Sequence, residues 1–131
     1  MKNPLVLGII PARFASTRFP GKLLYPILEK PLLQHTYENA KKCTMLDEIV
    51  IATDDERIAA FACSLEAPVV MTPSSCSTGT DRIASVIENH KPYANFSIIV
   101  NIQGDEPCLH PQTIDSTIQA LLQNTAAQMS T

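Results

Sequence analysis

The sequence predicts an α/β fold of three layers, in which a mostly parallel sheet lies between helices. Short apolar runs rich in β-branched residues alternate along the chain with segments whose apolar residues recur every three or four positions. The 131 residues are 45% hydrophobic and 18% charged, which is typical of one globular domain or of a portion of a larger one. Strands joined by helices form right-handed crossovers, so both faces of the sheet should be covered.

The first predicted strand covers residues 5–10. It is a continuous apolar run between Pro4 and Pro11, which is typical of a central strand buried on both faces. A helix is predicted over residues 31–43, because Pro31 suits a first helical turn and an apolar stripe follows it. The stripe consists of Leu32, Leu33, Thr36, Tyr37 and Ala40.

The second strand is predicted over residues 48–53, and the helix after it should be capped by Asp54 or Asp55. Its buried positions follow helical spacing, and they are Ile58, Phe61, Ala62 and Leu65. A short third strand, residues 68–71, then leads into a polar loop over residues 72–80.

The third helix is predicted to begin near Asp81, with Thr80 and Asp81 as good capping residues. Its apolar positions are Ile83, Ala84, Val86 and Ile87. The fourth strand covers residues 97–102, and a last helix begins at Pro111. Its buried face is Ile114, Ile118, Leu121 and Leu122. Without a strand after this helix, the Rossmann-like sheet would have four strands and the fold would be truncated, as in an N-terminal piece of a longer protein.

Composition excludes several classes of protein. The longest apolar runs have about six residues against the roughly 20 that cross a bilayer, and the start of the chain makes a poor signal peptide. The four cysteines are 20, 13 and 32 positions apart, which predicts reduced, mostly packed thiols in a cytoplasmic protein. The three histidines (His35, His90 and His110) have no metal-like spacing and are predicted to pack or lie at the surface. A net charge of −3 and a pI near 5.5 predict no nucleic-acid or membrane partner.

Positive charge is concentrated at the amino end. Residues 1–28 contain four basic side chains and no acidic one, whereas the other 103 residues contain six basic and 13 acidic side chains. A cationic segment in an otherwise anionic chain indicates a receptor for a small polyanion such as a nucleotide.

Three loops are predicted to meet at one edge of the sheet, because ligands of such folds bind beyond the carboxyl ends of the strands. They cover residues 11–22, 72–80 and 103–107. The first loop carries two hydroxyls, two guanidiniums and an ammonium group, a set that can bind a triphosphate. It has neither the Walker spacing nor the dinucleotide-binding fingerprint, so P-loop and NAD-dependent enzymes are excluded.

Three segments together resemble a known family. They are IIPARFASTRFPGK at residues 9–22, STGTDR at residues 77–82 and VNIQGDEP at residues 100–107. In this order they resemble the N-terminal half of the 3-deoxy-manno-octulosonate (Kdo) cytidylyltransferases. The resemblance implies a nucleotidyltransferase fold and transfer of CMP from CTP to Kdo, with release of pyrophosphate, for lipopolysaccharide biosynthesis.

The same resemblance implies a missing part. Family members are about twice this length, so residues 1–131 would be the nucleotide-binding portion of a cytidylyltransferase domain, without the C-terminal part for sugar binding and dimerisation. The full-length family is expected to form homodimers, and this chain alone is expected to be weak or inactive.

The resemblance also implies roles for the first loop and for the end of the fourth strand. Arg13 and Lys22 would hold the CTP phosphates and neutralise the leaving pyrophosphate, and Arg18 would make a second phosphate contact. The other loop residues that line the nucleotide would be Ala12, Ser16 and Thr17. Asp105 would bind Mg²⁺, a hard cation that prefers carboxylate oxygens. A turn-forming role for Asp105 is the alternative.

Residues 77–82 would read the cytosine ring. The backbone at Gly79 and Thr80 would approach the base, and Arg82 would reach the base or ribose region. Gln103 would lie near nucleotide and sugar. Helix capping alone is the alternative for this segment, and Asp81 stands where the family usually has Glu.

Two further functions stay open at this point. One is cytidylyl transfer to another acid sugar, such as a sialic acid, because the pocket that selects the sugar would lie mostly outside this sequence. The other is a non-catalytic nucleotide-binding fragment.

Overall fold

The computed structural model describes residues 6–13, 21–76, 78–90, 96, 98–103, 112, 115–116, 118–119 and 129–130, with only the backbone at Lys22 and at 129–130. Its elements are, in chain order, β1 (Val6–Ala12), a 3-10 turn (Lys22–Leu24), β2 (Pro26–Ile27), β3 (Lys30–Pro31), α1 (Leu32–Ala40), β4 (Glu48–Thr53), α2 (Glu56–Ser64), β5 (Val69–Met71), α3 (Gly79–Asn89), β6 (Ile98–Asn101) and β7 (Met129–Ser130). Further helical residues between β6 and β7 are Gln112, Asp115, Ser116, Ile118 and Gln119.

The main sheet has the order β5-β4-β1-β6-β7, and all its strand pairs are parallel. The predicted parallel sheet with β1 at its centre is therefore confirmed. The first strand was predicted to end before Pro11, but its pairing with β4 continues to Ala12 opposite Thr53. Proline lacks the N–H donor yet keeps its carbonyl acceptor, so a parallel strand can continue through it.

Two short features were not predicted. The strand β7 pairs with β6, Met129 opposite Ile99, so the prediction of four strands with none after the last helix was wrong. The strands β2 and β3 form a separate antiparallel hairpin. Each of these strands has two residues, which is too short for an alternating pattern to be visible in a sequence.

Helices cover both faces of the sheet, as predicted. Successive residues of a strand point to opposite faces. On the face that we call the α1 face, the core residues are Val6, Ile10, Ala12, Leu23, Leu32, Leu33, Tyr37, Ala40, Cys43, Ile51, Ile58, Ala62, Ala67, Ile98, Val100, Ile102 and Ile118. On the opposite face, the α3 face, they are Leu7, Ile9, Val50, Ala52, Val70, Ile83 and Val86.

The first two helices match their predicted patterns. All five residues of the predicted α1 stripe are buried. In α2, Ile58 and Ala62 are buried, whereas Phe61 and Leu65 are half-buried against the same core. Asp55 is the N-cap of α2, and its carboxylate accepts a hydrogen bond from the Arg57 amide at 2.8 Å.

The third helix begins two residues earlier than predicted. Its N-cap is Thr78, whose hydroxyl accepts a hydrogen bond from the Asp81 amide at 3.0 Å, so the prediction of Thr80 or Asp81 as the cap was wrong. Thr78, Thr80 and Asp81 all have side chains that suit an N-cap, so the local sequence does not select among them. Ile83 and Val86 are buried as predicted, but Ala84 is exposed.

The described cysteines (Cys43, Cys63 and Cys76) are free thiols, as predicted. Only Cys43 is buried, and Cys63 is exposed, so the prediction of mostly packed cysteines was wrong for the latter. Burial, together with the nearby Asp115 carboxylate, raises the pKa of Cys43 to about 11. Cys108 lies outside the described residues. No helix in the described part of the chain is long and apolar enough to span a membrane.

The tip of the β2–β3 hairpin carries backbone strain. Leu28 and Glu29 have φ of 53° and 70°, in the left-handed region that residues other than glycine rarely adopt. Leu28 is also 86% exposed. Two-residue hairpin turns with positive φ at both positions are common, because the twist of such a turn matches that of the strands. These turns favour glycine, which has no Cβ to clash at positive φ.

Replacement of Glu29 by glycine should therefore stabilise the protein, by about 0.5 to 1 kcal/mol, because the relief of strain exceeds the extra chain entropy of glycine. The same change at Glu88, an exposed position inside α3, should destabilise by about 1 kcal/mol. Urea unfolding midpoints compare the two variants, and a lower midpoint for both would show that the hairpin tip is not strained.

Candidate functional site

The strand ends form the floor of the candidate site. Backbone pairing holds them level: the Thr72 amide donates to the Thr53 carbonyl at 2.8 Å, and the Ile102 amide donates to the Ile9 carbonyl at 2.9 Å. Because all strands of the main sheet are parallel, the residues that follow them lie along one side of the molecule. These residues are Thr72, Asp54, Arg13 and Gln103, in the order of β5, β4, β1 and β6, and we call this side the carboxyl edge.

A buried guanidinium joins α3 to the carboxyl edge. Arg82 is only 3% exposed, although it lies in the first turns of α3. Its Nη1 donates to the Thr72 hydroxyl at 2.5 Å, and its Nη2 lies 3.8 Å from a carboxylate oxygen of Asp54. A buried cation requires such partners, because the desolvation of an unpaired charge is costly. Arg82 thus fixes the amino end of α3 over the ends of β4 and β5.

The amino end of α3 also packs closely on β1. A Cβ at Gly79 would lie 3.3 Å from the Pro11 side chain, which is tighter than ordinary contact. Glycine at this position therefore lets the helix approach the strand end. The sequence predicted a close approach of Gly79 to a ligand, and the contact found within the protein is to Pro11. Thr80 is exposed on the first turn of the same helix.

The second aspartate after β4 is committed elsewhere. Asp55 caps α2 and accepts hydrogen bonds from the Arg57 guanidinium at 3.1 and 2.8 Å. These bonds lower the pKa of Asp55, which stays ionised at neutral pH. Asp54, in contrast, faces Arg82 and the carboxyl edge.

The first loop is described only at its two ends. Arg13 is exposed directly after β1, and the side chain of Ala12 is buried in the core of the α1 face, which leaves its backbone for contact with a ligand. The loop returns at Gly21, and the 3-10 turn at its end is anchored by the buried Leu23. Four predicted site residues lie outside the described residues: Ser16, Thr17, Arg18 and Asp105. The side chain of Lys22 is likewise outside the description.

Two residues with amide side chains, Asn101 and Gln103, lie at the end of β6. Ile102 is buried on the α1 face, where its Cδ1 would meet a Cβ at Gly8 at 3.0 Å. Alternation along β6 therefore places Asn101 on the opposite, α3 face. Gln103 is exposed, whereas Asn101 is 8% exposed and lies one step deeper in the sheet.

A metal site is not complete within the described ranges. No group of three or more His, Cys, Asp or Glu side chains that could hold a metal ion occurs among the residues searched there. The predicted magnesium ligand, Asp105, follows Gln103 by two positions, beyond the described part of β6 and its end.

Three residues of the site were not among the predicted ones: Asp54, Thr72 and Asn101. Asp54 and Thr72 directly follow predicted strands, so the rule that ligands bind beyond the carboxyl ends could have selected them. Asn101 is a polar residue in an otherwise apolar strand, which is an independent signal of a special role.

The match to known proteins identifies the family. The model of the cytidylyltransferase family matches residues 7–131. The chain belongs to the cytidylyltransferase family. It is 52% identical over 126 residues to the 3-deoxy-manno-octulosonate cytidylyltransferase of Protochlamydia amoebophila, a match that covers 96% of this chain and 49% of that protein. The mitochondrial protein of the same name from Arabidopsis thaliana is 49% identical, with 96% of this chain and 43% of that protein covered.

A solved structure agrees with this membership of the cytidylyltransferase family. The structure of CMP:2-keto-3-deoxy-manno-octonic acid synthetase complexed with CTP superposes with a TM-score of 0.87 at 34% identity, over 93% of this chain and 49% of that one. The predicted resemblance and the predicted nucleotidyltransferase fold are therefore confirmed. The chain spans about half the length of the relatives that it matches.

Proposed function

We propose that this chain is the nucleotide-binding portion of a cytidylyltransferase that transfers CMP from CTP to Kdo. In this reaction the anomeric hydroxyl oxygen of Kdo bonds to the α-phosphorus of CTP, the bond to the bridging oxygen breaks, and pyrophosphate and a proton leave. The observation that carries the proposal is the 52% identity to a protein named for this activity, over 96% of the chain. The product, an activated sugar, would serve lipopolysaccharide biosynthesis.

The triphosphate would bind at the first loop. Arg13 is exposed at the carboxyl edge, where a guanidinium can form charge-assisted hydrogen bonds with phosphate oxygens. Lys22 would neutralise the leaving pyrophosphate, and Arg18 would make a second phosphate contact. Ala12, through its backbone, and the hydroxyls of Ser16 and Thr17 would line the nucleotide. Such transfer depends on positioning and charge neutralisation rather than on covalent catalysis.

A divalent ion would complete the phosphate site. We propose Mg²⁺ held by Asp105, whose carboxylate oxygen is of the type that magnesium prefers. When bound, the ion would screen charge on the phosphate oxygens. In the sequence Asp105 follows the last residue of β6 by four positions, as such a ligand would require.

The base would bind at the amino end of α3. The Thr78 cap, the close packing of Gly79 on Pro11 and the buried Arg82 together fix this end of the helix, which supports a role in reading a planar ring. Gly79, Thr80 and Arg82 would contact the base or ribose region. Gln103, exposed after β6 at the carboxyl edge, would lie near nucleotide and sugar.

We further propose a cytoplasmic enzyme that acts on the small molecules CTP and Kdo and that forms a homodimer in full length. Neither nucleic acid nor membrane is proposed as a partner, because the net charge of −3 would repel the anionic surface of either.

Calorimetric titration of the chain with CTP, with and without Mg²⁺, tests the proposal. We expect binding that Mg²⁺ strengthens, because the ion would offset the negative charge of the Asp105 carboxylate and of the phosphates. Arg13→Ala should weaken binding about tenfold through the loss of a charge-assisted bond. Arg57→Ala, which removes an exposed guanidinium at the start of α2, is the matched control and should bind CTP as the parent does.

Two results would contradict the proposal. One is the absence of magnesium-dependent binding in a sample whose circular dichroism shows a folded protein. The other is an equal effect of the two arginine substitutions, since that would indicate only a general loss of positive charge.

A further inference from the structure

Asn101 interrupts an apolar strand at the candidate site. Of the four residues of β6, Ile98 and Val100 pack in the core of the α1 face, and Ile99 packs on the α3 face. Alternation therefore turns the Asn101 side chain toward the α3 face. In the sheet register Asn101 stands opposite Ile9 of β1.

The carboxamide oxygen of Asn101 lacks a hydrogen-bond partner among the described residues. The residue is 92% buried, and its Oδ1 is inaccessible to solvent and has no hydrogen-bond partner in the described structure. Most buried side-chain oxygens in folded proteins accept a hydrogen bond, and one that does not costs stability relative to an apolar residue of the same size. The buried oxygen makes no hydrogen bond that would stabilise the fold. Its burial therefore indicates that a bound ligand supplies the hydrogen-bond donor.

The position of Asn101 relative to α3 supports that interpretation. The amino end of this 11-residue helix lies on Pro11, in the neighbouring strand and one step closer to the edge than Ile9. Asn101 thus lies in the strand beside the one that the helix end contacts, two residues further from the carboxyl edge, and the exposed Gln103 follows it in the chain. The terminal torsion of asparagine is broad, so the carboxamide can turn toward a ligand at low cost.

The chemistry of the nucleotide limits which of its groups can donate a hydrogen bond to the Asn101 oxygen. An ionised triphosphate offers only acceptors, which leaves the cytosine amino group and the ribose hydroxyls. Arg82 lies over β4 and β5, on the other side of β1 from β6, so a base at this end of α3 would lie away from Asn101. The ribose connects the base to the triphosphate, and Arg13, which would bind the triphosphate, follows β1, the strand beside β6.

We propose that Asn101 is a nucleotide-binding residue whose Oδ1 accepts a hydrogen bond from a ribose hydroxyl of bound CTP. This inference rests on the proposed function and adds to it a residue that recognises the ribose.

The first experiment compares Asn101→Leu with the parent chain in titrations with CTP and Mg²⁺. Leucine has nearly the same size and no polar atom, so the ligand-free protein should keep or raise its melting temperature. Its affinity for CTP should fall about tenfold. Asn89→Leu, at the exposed end of α3, is the matched control and should not change the affinity. Unchanged affinity in Asn101→Leu would overturn the inference, as would a clear drop in melting temperature, which would show that the amide has a structural role.

The second experiment begins with the parent chain, so its first result does not depend on whether an Asn101 variant folds. The parent chain is titrated with CTP, 2′-deoxy-CTP and 3′-deoxy-CTP, and one of the two deoxynucleotides should bind about tenfold more weakly. In Asn101→Leu this difference should disappear. If the parent binds CTP and both deoxynucleotides equally, only this inference fails. If the parent does not bind CTP at all in the presence of Mg²⁺, the proposed function fails and this inference fails with it.

Discussion

Replacement of Arg82 by leucine is expected to lower the free energy of unfolding by about 3 kcal/mol. The substitution leaves the Asp54 carboxylate without its cation and the Thr72 hydroxyl without its donor. Loss of one partner of a buried ion pair costs more than the pair itself contributes, because the remaining group stays desolvated. The 3.8 Å separation and the partial exposure of Asp54 place the expected loss at the lower end of the range for buried pairs.

Arg57→Leu is the matched control for this prediction. Arg57 also lies in the first turn of a helix and binds an aspartate, at the shorter distance of 2.8 Å. Its side chain is 61% exposed, so water replaces the lost contact and we expect no measurable change in stability. The comparison shows whether burial or distance determines the loss of stability. The ion pair of Arg82 is longer but buried, and we expect its loss to have the larger effect. Equal urea midpoints for the two variants would contradict this account.

The same pair of variants addresses the candidate site. If Arg82 fixes the amino end of α3, Arg82→Leu should also weaken CTP binding, whereas Arg57→Leu should not. Arg82→Lys keeps the charge but loses the planar fork of donors, so an intermediate affinity is expected. A leucine variant that is destabilised yet binds CTP with full affinity below its melting temperature would restrict Arg82 to a structural role.

Leu33→Ala is the second substitution with a large expected effect. Leu33 has no exposed surface and lies in the core of the α1 face, so its truncation leaves a cavity. We expect a loss of about 3 kcal/mol, within the range of 2–5 kcal/mol for such changes. Urea unfolding should show a lower midpoint with an unchanged slope, because the surface exposed on unfolding stays nearly the same.

Leu28→Ala provides the control for this prediction, since the same chemical change is made at a side chain that is 86% exposed. Its unfolding midpoint should remain close to that of the parent. A comparable loss at both positions would indicate that Leu28 contributes to stability through the hairpin, and that exposure alone does not predict the effect.

Most of the fold could be predicted from local patterns. The strand Glu48–Thr53 was predicted with its observed bounds, and all five residues of the α1 stripe are buried. Both signals arise within a few residues of chain, because burial of one face imposes a period of two on a strand and about 3.6 on a helix. The errors fall where that signal is too short or too general, as in the two-residue strand β7 and the choice of Thr78 as cap.

The sequence predicted the location of two described site residues but not the contacts around the site. Arg13 and Gln103 are exposed at the carboxyl edge, where the topology of parallel strands requires them to be. The partners of Arg82 could not be predicted, because Asp54 and Thr72 approach it only once β4 and β5 are paired. Ser16, Thr17, Arg18, Asp105 and the side chain of Lys22 remain predictions, since they lie outside the described residues.

The sequence by itself determined the order of the longer strands and helices, the face that each helix buries, and the three motifs that indicate the family. Tertiary structure alone decided that Arg82 is buried, that Gly79 packs on Pro11, and that no described residue donates a hydrogen bond to the side-chain oxygen of Asn101. The physical reason is the range of the interactions. Periodicity and capping are properties of neighbouring residues, whereas the pairing or desolvation of a side chain depends on which distant strands lie beside it.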